Sequence, residues 1–160
     1  MTRRFGSRTT FAVEVGEALP PSLRVVDLWA AGVRITINDN VAYVPSLVHY
    51  MRSAAAQVRQ RQTRLCPFPE SSPKEIFQQL ESDETDLREQ YWFMRWSEIV
   101  DNVSCYAYLD DDLVIVFAFR RAEHLLPEDL GKVFVTRIPL EDFATTLLEA
   151  VHVLEAEPVN

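Results

Sequence analysis

Glycine is scarce in this sequence. Only four glycines occur in 160 residues, where average usage of about 7% would give about eleven. Gly6, Gly16, Gly32 and Gly131 lie too far apart for a phosphate-binding loop or a dinucleotide fingerprint, because both need clustered glycines for close backbone approach. Nucleotide-binding folds of those kinds are therefore excluded.

Cysteine and long hydrophobic runs are also scarce. Cys66 and Cys105 stand far apart with no Cys-x-x-Cys spacing, which predicts two buried thiols in a reducing compartment and no disulfide. No apolar run approaches the roughly 18 residues that span a bilayer, and the first residues carry charge without the apolar core of a signal peptide. The sequence thus predicts a cytoplasmic protein without a membrane partner.

Histidine is rare, and its three positions offer no metal-binding spacing. His49 and His152 fall on the polar sides of predicted helices, whereas His124 follows a strand end, where a role in binding or catalysis stays open. The acidic run at residues 110–112 lacks the alternating ligands of a calcium loop, and no Gly-x-Ser-x-Gly elbow occurs. Cys105 shares an apolar strand face. No catalytic residue, metal ligand or cofactor site is predicted.

Charge is divided unevenly along the chain. Residues 1–64 carry nine Lys/Arg against four Asp/Glu, a balance of +5, whereas residues 65–160 carry seven against twenty, a balance of −13. The net charge of −8 repels nucleic-acid phosphates and anionic membranes and attracts basic proteins. This balance favours a protein-binding role over an enzymatic one and predicts no nucleic-acid partner.

Hydrophobic periodicity defines the predicted elements. One helix begins at Pro45 and runs to about residue 62, with Arg52 and Arg59 on a solvated face. A second follows the capping box of Ser72 and Glu75, and a third begins at Pro139. The predicted strands are residues 9–15, 23–30, 32–38, 103–109, 113–121 and 132–138, with Ala31-Gly32 as a tight turn.

The order of elements is three strands, a helix, an irregular insert, three strands and a helix. This order predicts an α+β two-layer sandwich, with a mostly antiparallel sheet of about six strands and helices packed on one face. A chain of 160 residues suits a single domain. Its ends, residues 1–8 and 156–160, are predicted to be frayed.

Residues 65–101 form the irregular insert. Five carboxylates occur among the nine residues 81–89, and the densest aromatic cluster follows at residues 91–96. The spacing of Leu87, Tyr91 and Met94 favours a helix over residues 84–100, although the aromatic run also suits a strand. Periodicity alone does not separate the two.

Carboxylates beside aromatic side chains combine steering charge with the residue types that concentrate binding energy at protein interfaces. The alternative interpretation places the aromatics in the core and the acids in a solvated loop. On the fourth predicted strand, Ser104, Tyr106 and Tyr108 share a face that is either covered by a helix or open to a partner. The residues predicted to bind a partner are Asp83, Glu84, Asp86, Glu89, Tyr91, Trp92, Trp96, Asp110, Asp111 and Asp112.

Three stretches carry a family resemblance: Phe-Ala-Val-Glu-Val at residues 11–15, Leu-Trp-Ala-Ala-Gly at 28–32, and Ile-Pro-Leu-Glu-Asp-Phe-Ala-Thr-Thr-Leu-Leu-Glu-Ala at 138–150. In pattern and order they resemble bacterial immunity proteins of the immunity protein 42 family, whose members protect a cell from the toxin domain of a neighbouring polymorphic-toxin gene. The resemblance implies stoichiometric inhibition of a cognate toxin, with no catalytic residues. From the acidic charge of this chain we expect such a toxin to have a basic surface, as a nuclease does.

A secretion chaperone or an adaptor for a non-toxic client is the competing interpretation. A chaperone would typically be a dimer that holds a disordered client segment on an exposed apolar patch. The third interpretation, an enzyme with an unrecognised site, requires a deep pocket that holds a carboxylate or histidine of strongly perturbed pKa.

Overall fold

The structure is a computed structural model that describes residues 2–120 and 125–156. Within these residues, eight strands form two antiparallel sheets and three helices pack against them. The first sheet contains β1 (Arg3–Ser7), β2 (Phe11–Leu19), β3 (Leu23–Ala30), β4 (Val33–Arg34) and β5 (Val41–Tyr43). The second contains β6 (Val103–Asp110), β7 (Asp112–Phe119) and β8 (Phe134–Ile138), and the helices are α1 (Val44–Arg59), α2 (Pro73–Glu81) and α3 (Leu140–Ala156).

The predicted α+β fold with antiparallel pairing and packed helices is confirmed. Its strands divide between a five-stranded and a three-stranded sheet, where the pattern predicted one sheet of about six. Alternation along β2 places Phe11, Val13 and Val15 on the face that packs against α1 and α3. The inner face of β6 and β7 joins the same core, so one apolar cluster connects both sheets.

The second sheet is covered on both faces. Ile76, Phe77 and Leu80 of α2 pack against the outer face of β6 and β7, and the rings of Phe77 and Tyr106 meet edge to face at 5.6 Å. The face of Ser104, Tyr106 and Tyr108 is therefore covered by a helix rather than open. A strand buried on both faces explains the continuous apolar sequence of β7.

Ion pairs join α1 to α3. The guanidinium of Arg59 donates to both carboxylate oxygens of Glu141, at 3.0 and 2.6 Å, and Arg52 pairs with Glu155 at the other end. Residue numbers rise along α1 as they fall along α3, so the two helices are antiparallel. The cationic face of α1 is partly exposed, as predicted, but two of its arginines are neutralised by the acidic second half of the chain.

The prediction of a frayed start at residues 1–8 is wrong. Residues 3–7 form β1, which pairs with β2 along its whole length from Arg3 opposite Val15 to Ser7 opposite Phe11. The side chain of Phe5 packs against the core. A pattern with one apolar residue in five gives little strand signal, and pairing with β2 supplies the missing stabilisation.

The predicted strand at residues 32–38 is shortened to β4. The Ala31-Gly32 turn is confirmed, with both residues at positive φ (53° and 76°) as a two-residue type I′ hairpin requires. Beyond Arg34 the ladder ends because the hydroxyl of Thr36 accepts from the backbone N–H of Leu28 and donates to Asp27 at 2.6 Å. Thr36, predicted to face outward, is therefore buried.

The helix favoured over residues 84–100 is also wrong. The segment contains two short 3-10 turns, Arg88–Tyr91 and Glu98–Val100, joined by irregular backbone in which Trp92 forms a β-bridge. Trp92 bridges to Tyr106 of β6, and the N–H of Phe93 donates to the carbonyl of Cys105 at 3.0 Å. Pairing with a strand edge overrides the helical spacing of the apolar residues.

Both cysteines are free thiols, and burial raises the pKa of the Cys105 thiol. Over the described part of the chain, no helix is both long and apolar enough to cross a membrane. His124 and residues 157–160 of the predicted frayed end lie outside the described residues, whereas residue 156 is the last residue of α3.

The outer face of the first sheet carries a charged cluster. Glu14, whose side chain is only 7% exposed, accepts two hydrogen bonds from the Arg8 guanidinium at 2.5 and 2.8 Å. Arg8 also stacks over the ring of Trp29 at 4.1 Å, and Arg4 approaches the same carboxylate at 3.4 Å. The bonds from Arg8 hold the pKa of Glu14 below its usual value.

Glu14→Gln is expected to lower the free energy of unfolding at pH 7 by about 1–2 kcal/mol, because hydrogen bonds to a charged group contribute on that order and Arg8 is partly exposed. The pKa of Glu14 is lower in the folded protein, so this stability is present above the unfolded pKa and is lost as pH falls through the folded pKa. The difference between wild type and E14Q should therefore shrink below about pH 4. Urea denaturation between pH 7 and pH 3 measures it.

Glu141→Gln is the matched control, because it breaks an arginine pair whose carboxylate is 67% exposed. We expect a smaller loss at pH 7 for this variant. A difference between wild type and E14Q that stays constant with pH would contradict the assigned role of the Glu14 charge.

Candidate protein-binding cleft

A cleft of about 870 Å³ lies between the two sheets. One wall consists of residues from β3, β5 and the first turns of α1, and the other consists of residues 92–101 with the first half of β6. Both walls include strands at a sheet edge: among the described residues β5 pairs with β3 alone, and β6 is the outer strand of its sheet, with bridges to residues 65 and 92 on its outer side. The backbone of the cleft walls is thus set by the sheets.

Exposed apolar side chains concentrate in this cleft. Of the nine large hydrophobic residues that are exposed in the described chain, five line it, with exposed fractions between 39% and 52%. Exposed apolar groups that cluster in one concavity mark interaction sites, whereas single ones scattered over a surface need no explanation. The five are Leu23, Val41, Tyr43, Tyr50 and Trp92.

Local structure explains why these side chains point outward. β5 alternates Val41 and Tyr43 toward solvent with the small, fully buried Ala42 toward the core. Tyr50 lies on α1 beside the buried Met51, with its ring against His49 at 5.3 Å. The core positions are filled by neighbours, so the large rings remain on the surface.

Trp92 is held in place at the opposite wall. The Arg95 guanidinium stacks over its indole at 3.9 Å, and its backbone bridges to Tyr106. Two residues on, the buried Met94 adopts φ +60°, a left-handed conformation that costs a non-glycine residue about 1–2 kcal/mol. Packing therefore fixes this wall in an unusual conformation, which presents Trp92 at the cleft.

Of the residues that the structure describes, three acidic and three basic ones line the cleft. Tyr106 donates its hydroxyl to the carboxylate of Glu81 at 3.0 Å, and burial with this contact raises the pKa of Tyr106. Each lining arginine has a contact inside the molecule: Arg88 donates to the carbonyl of Glu81, Arg120 donates to the carbonyl of Asp101 at 2.8 Å, and Arg95 stacks on Trp92. The other two lining residues with carboxylates, Glu98 and Asp101, are exposed.

Four of the seven acidic residues predicted to bind a partner occupy the segment that leads into the cleft. Asp83 has a structural task, since its carboxylate accepts from the hydroxyl and N–H of Thr85 at 2.8 and 3.1 Å and thereby shapes the turn after α2. Glu84, Asp86 and Glu89 are exposed. These three form the part of the acidic segment that is open to a partner.

The predicted aromatic anchors divide between surface and core. Trp92 is exposed in the cleft, whereas Tyr91 and Trp96 are only 8% and 5% exposed. The hydroxyl of Tyr91 donates to the carbonyl of Leu65 at 3.1 Å, and Trp96 packs edge to face with Phe11 and Phe93. Two of the three rings thus follow the alternative interpretation and belong to the core.

The acidic hairpin tip lies away from the cleft. Asp111, with φ +63°, forms the turn between Asp110 and Asp112, and Asp110 pairs with Arg137 at 2.9 Å. The strand from Val103 at the cleft to Asp110 spans about 23 Å at 3.3 Å per residue. The hairpin tip, which the sequence predicts as a binding surface alongside the acidic insert, is therefore at the end of β6 away from the cleft.

Sequence reasoning missed four of the five apolar cleft residues. The available signal was local, because Val41 and Tyr43 flank the small Ala42 on a short strand and Tyr50 follows on the polar side of a predicted helix. Large side chains outside and a small one inside are the reverse of a normal core strand.

In the described ranges, no group of three or more His, Cys, Asp or Glu side chains is placed to hold a metal ion. No protein-family model, curated protein or solved structure matches this chain. The resemblance to the immunity protein 42 family therefore stays a prediction.

Proposed function

We propose that this chain binds a partner protein and neutralises it by stoichiometric inhibition, as an immunity protein does with its cognate toxin. The observation that carries the proposal is the cleft, in which five exposed apolar side chains lie beside a strongly acidic segment. Aromatic side chains in a concavity supply binding energy, and carboxylates outside it steer a basic partner toward the site.

The inhibitory role is tested by growth. A bacterium expresses the C-terminal domain encoded immediately upstream of this gene, with and without this chain from a second plasmid. Relief of toxicity, together with a one-to-one complex of the purified proteins, would support the proposal. Toxicity without relief, although this chain is folded and present, would contradict it and favour the chaperone or adaptor interpretation.

Neutralising the exposed acids of the insert should slow association with that partner. We expect the triple variant Glu84→Gln, Asp86→Asn and Glu89→Gln to reduce the association rate constant about tenfold at low salt and to flatten its salt dependence, with little change in the dissociation rate. Asp83 is left intact because its carboxylate shapes the turn. Stopped-flow fluorescence measures both rate constants.

The matched control is the triple variant Asp110→Asn, Asp111→Asn and Asp112→Asn, which removes the same charge at the far end of β6. A local steering surface predicts that this control associates nearly as fast as wild type. Equal slowing by both triple variants would show that net charge alone sets the rate and would remove the insert from the proposal.

A further inference from the structure

We infer that the cleft receives an extended, cationic segment of the partner protein, in which arginine or lysine alternates with apolar side chains. This inference rests on the proposed protein-binding function and names the chemistry of the segment that the site takes.

The apolar anchors stand on both walls. Tyr43 of β5 and Tyr50 of α1 line the wall that belongs to the first sheet, and Trp92 lines the wall next to β6. Rings from elements of both sheets offer contacts to side chains that alternate in direction along an extended backbone. Trp92 is already fixed by Arg95, so little conformational freedom is lost when the segment binds.

The dimensions favour a segment over a folded surface. A volume of about 870 Å³ lies near the upper end of the range of about 300–1,000 Å³ that encloses small ligands. That space admits a few residues of a partner and excludes a domain. The outer edge of the three-residue strand β5 on one wall presents backbone groups to which an extended segment pairs by strand addition. The edge of β6 is already partly paired with residues 65 and 92.

Charge selects a cationic segment. Residues 81–101 carry seven carboxylates and two arginines, a balance of −5. The described lining of the cleft is itself balanced, with three carboxylates and three arginines, so the excess lies in the four flanking carboxylates of residues 83–89. Both arginines are engaged inside the molecule, Arg88 with the carbonyl of Glu81 and Arg95 with Trp92. An anionic segment would be repelled by this excess of carboxylates. A cationic segment is attracted by it and can pair with the exposed Glu98 in the lining.

Three fluorescein-labelled nonapeptides test the inference with the full chain. The first alternates arginine with leucine, the second replaces each arginine by glutamate, and the third replaces each leucine by serine. Fluorescence anisotropy at 150 mM salt should show binding of the first peptide, at least about tenfold weaker binding of the third, and none of the second. The glutamate peptide binding as tightly as the arginine peptide would overturn the charge argument.

Variants locate the site. Trp92→Ala and Tyr43→Ala should each weaken binding of the arginine–leucine peptide about tenfold, and Glu98→Gln about threefold. Leu65→Ala is the apolar control, since Leu65 is 74% exposed and lies outside the cleft, and Asp111→Asn is the charge control. Neither control should change the affinity by more than about twofold. Affinities of the cleft variants equal to those of the controls would show general attraction to an acidic protein and overturn the site.

A measurement on the wild type guards against misfolded variants. The indole N–H signal of Trp92 should shift on titration with the arginine–leucine peptide, and the signal of Trp29, on the outer face of the first sheet, should not.

Growth rescue separates this inference from the proposed function. Rescue by both wild type and a folded Trp92→Ala/Tyr43→Ala variant would support the inhibitory function and contradict the cleft as the binding site. Peptide binding without rescue would support the cleft as a binding site and contradict the inhibitory function.

Discussion

Phe11→Ala is expected to lower the free energy of unfolding by about 3–5 kcal/mol, as truncation of a fully buried phenylalanine does when its surroundings relax only partly. Phe11 has no exposed surface. Its ring lies 4.9 Å from that of Phe143 on α3 and 6.4 Å from that of Trp96 in the insert. One side chain thus joins the first sheet, the last helix and the wall of the cleft.

Urea denaturation of Phe11→Ala measures the loss. Phe68→Ala is the matched control, because Phe68 is only partly buried at the edge of the second apolar cluster. We expect the control to lose less than half as much. A loss below about 1 kcal/mol for Phe11→Ala would mean that the insert and α3 do not close over β2 as described.

Gly6→Ala is expected to cost about 3 kcal/mol or more. Gly6 has φ +84°, and a Cβ built there would lie 2.3 Å from the backbone oxygen of Phe11 and 2.9 Å from the Cγ2 of Thr146. The left-handed conformation alone costs an alanine about 1–2 kcal/mol. The contact with a backbone oxygen adds to it, because β1 cannot move away without breaking its ladder with β2.

Gly32→Ala separates the two contributions. Gly32 has a similar φ of +76°, but nothing lies within 4 Å of the added Cβ. This control should lose only the conformational part, about 1–2 kcal/mol. Thermal and urea unfolding of both variants give the difference, and equal losses would show that β1 adjusts freely against α3.

The sequence predicted well those elements whose signal is local. The strand at residues 23–30 coincides with β3, and the capping box of Ser72 and Glu75 forms as written, with both reciprocal hydrogen bonds. The stripe of Phe143, Leu147, Val151 and Leu154 is the buried face of α3. In each case the residues that decide the structure are neighbours in the chain or on one helix face.

The wrong predictions concern segments whose conformation depends on a partner strand that is distant in the sequence. Residues 3–7 become a strand because β2 is available, and Trp92 and Phe93 become extended because β6 has an open edge. The cleft is the extreme case, since Leu23, Tyr43 and Trp92 come from three segments that only tertiary packing brings to one concavity. No period within a single segment contains that information.

The seating of α3 on β1 and β2 also sets the order of events during synthesis. The strands of the first sheet and α1 are translated early, whereas the α3 part of the cover, including the contact of Phe143 with Phe11, is translated after every other described element. Contacts so distant along the chain form slowly, and an uncovered sheet is prone to self-association while it waits. The cover of the first sheet is therefore completed only after α3 has been translated.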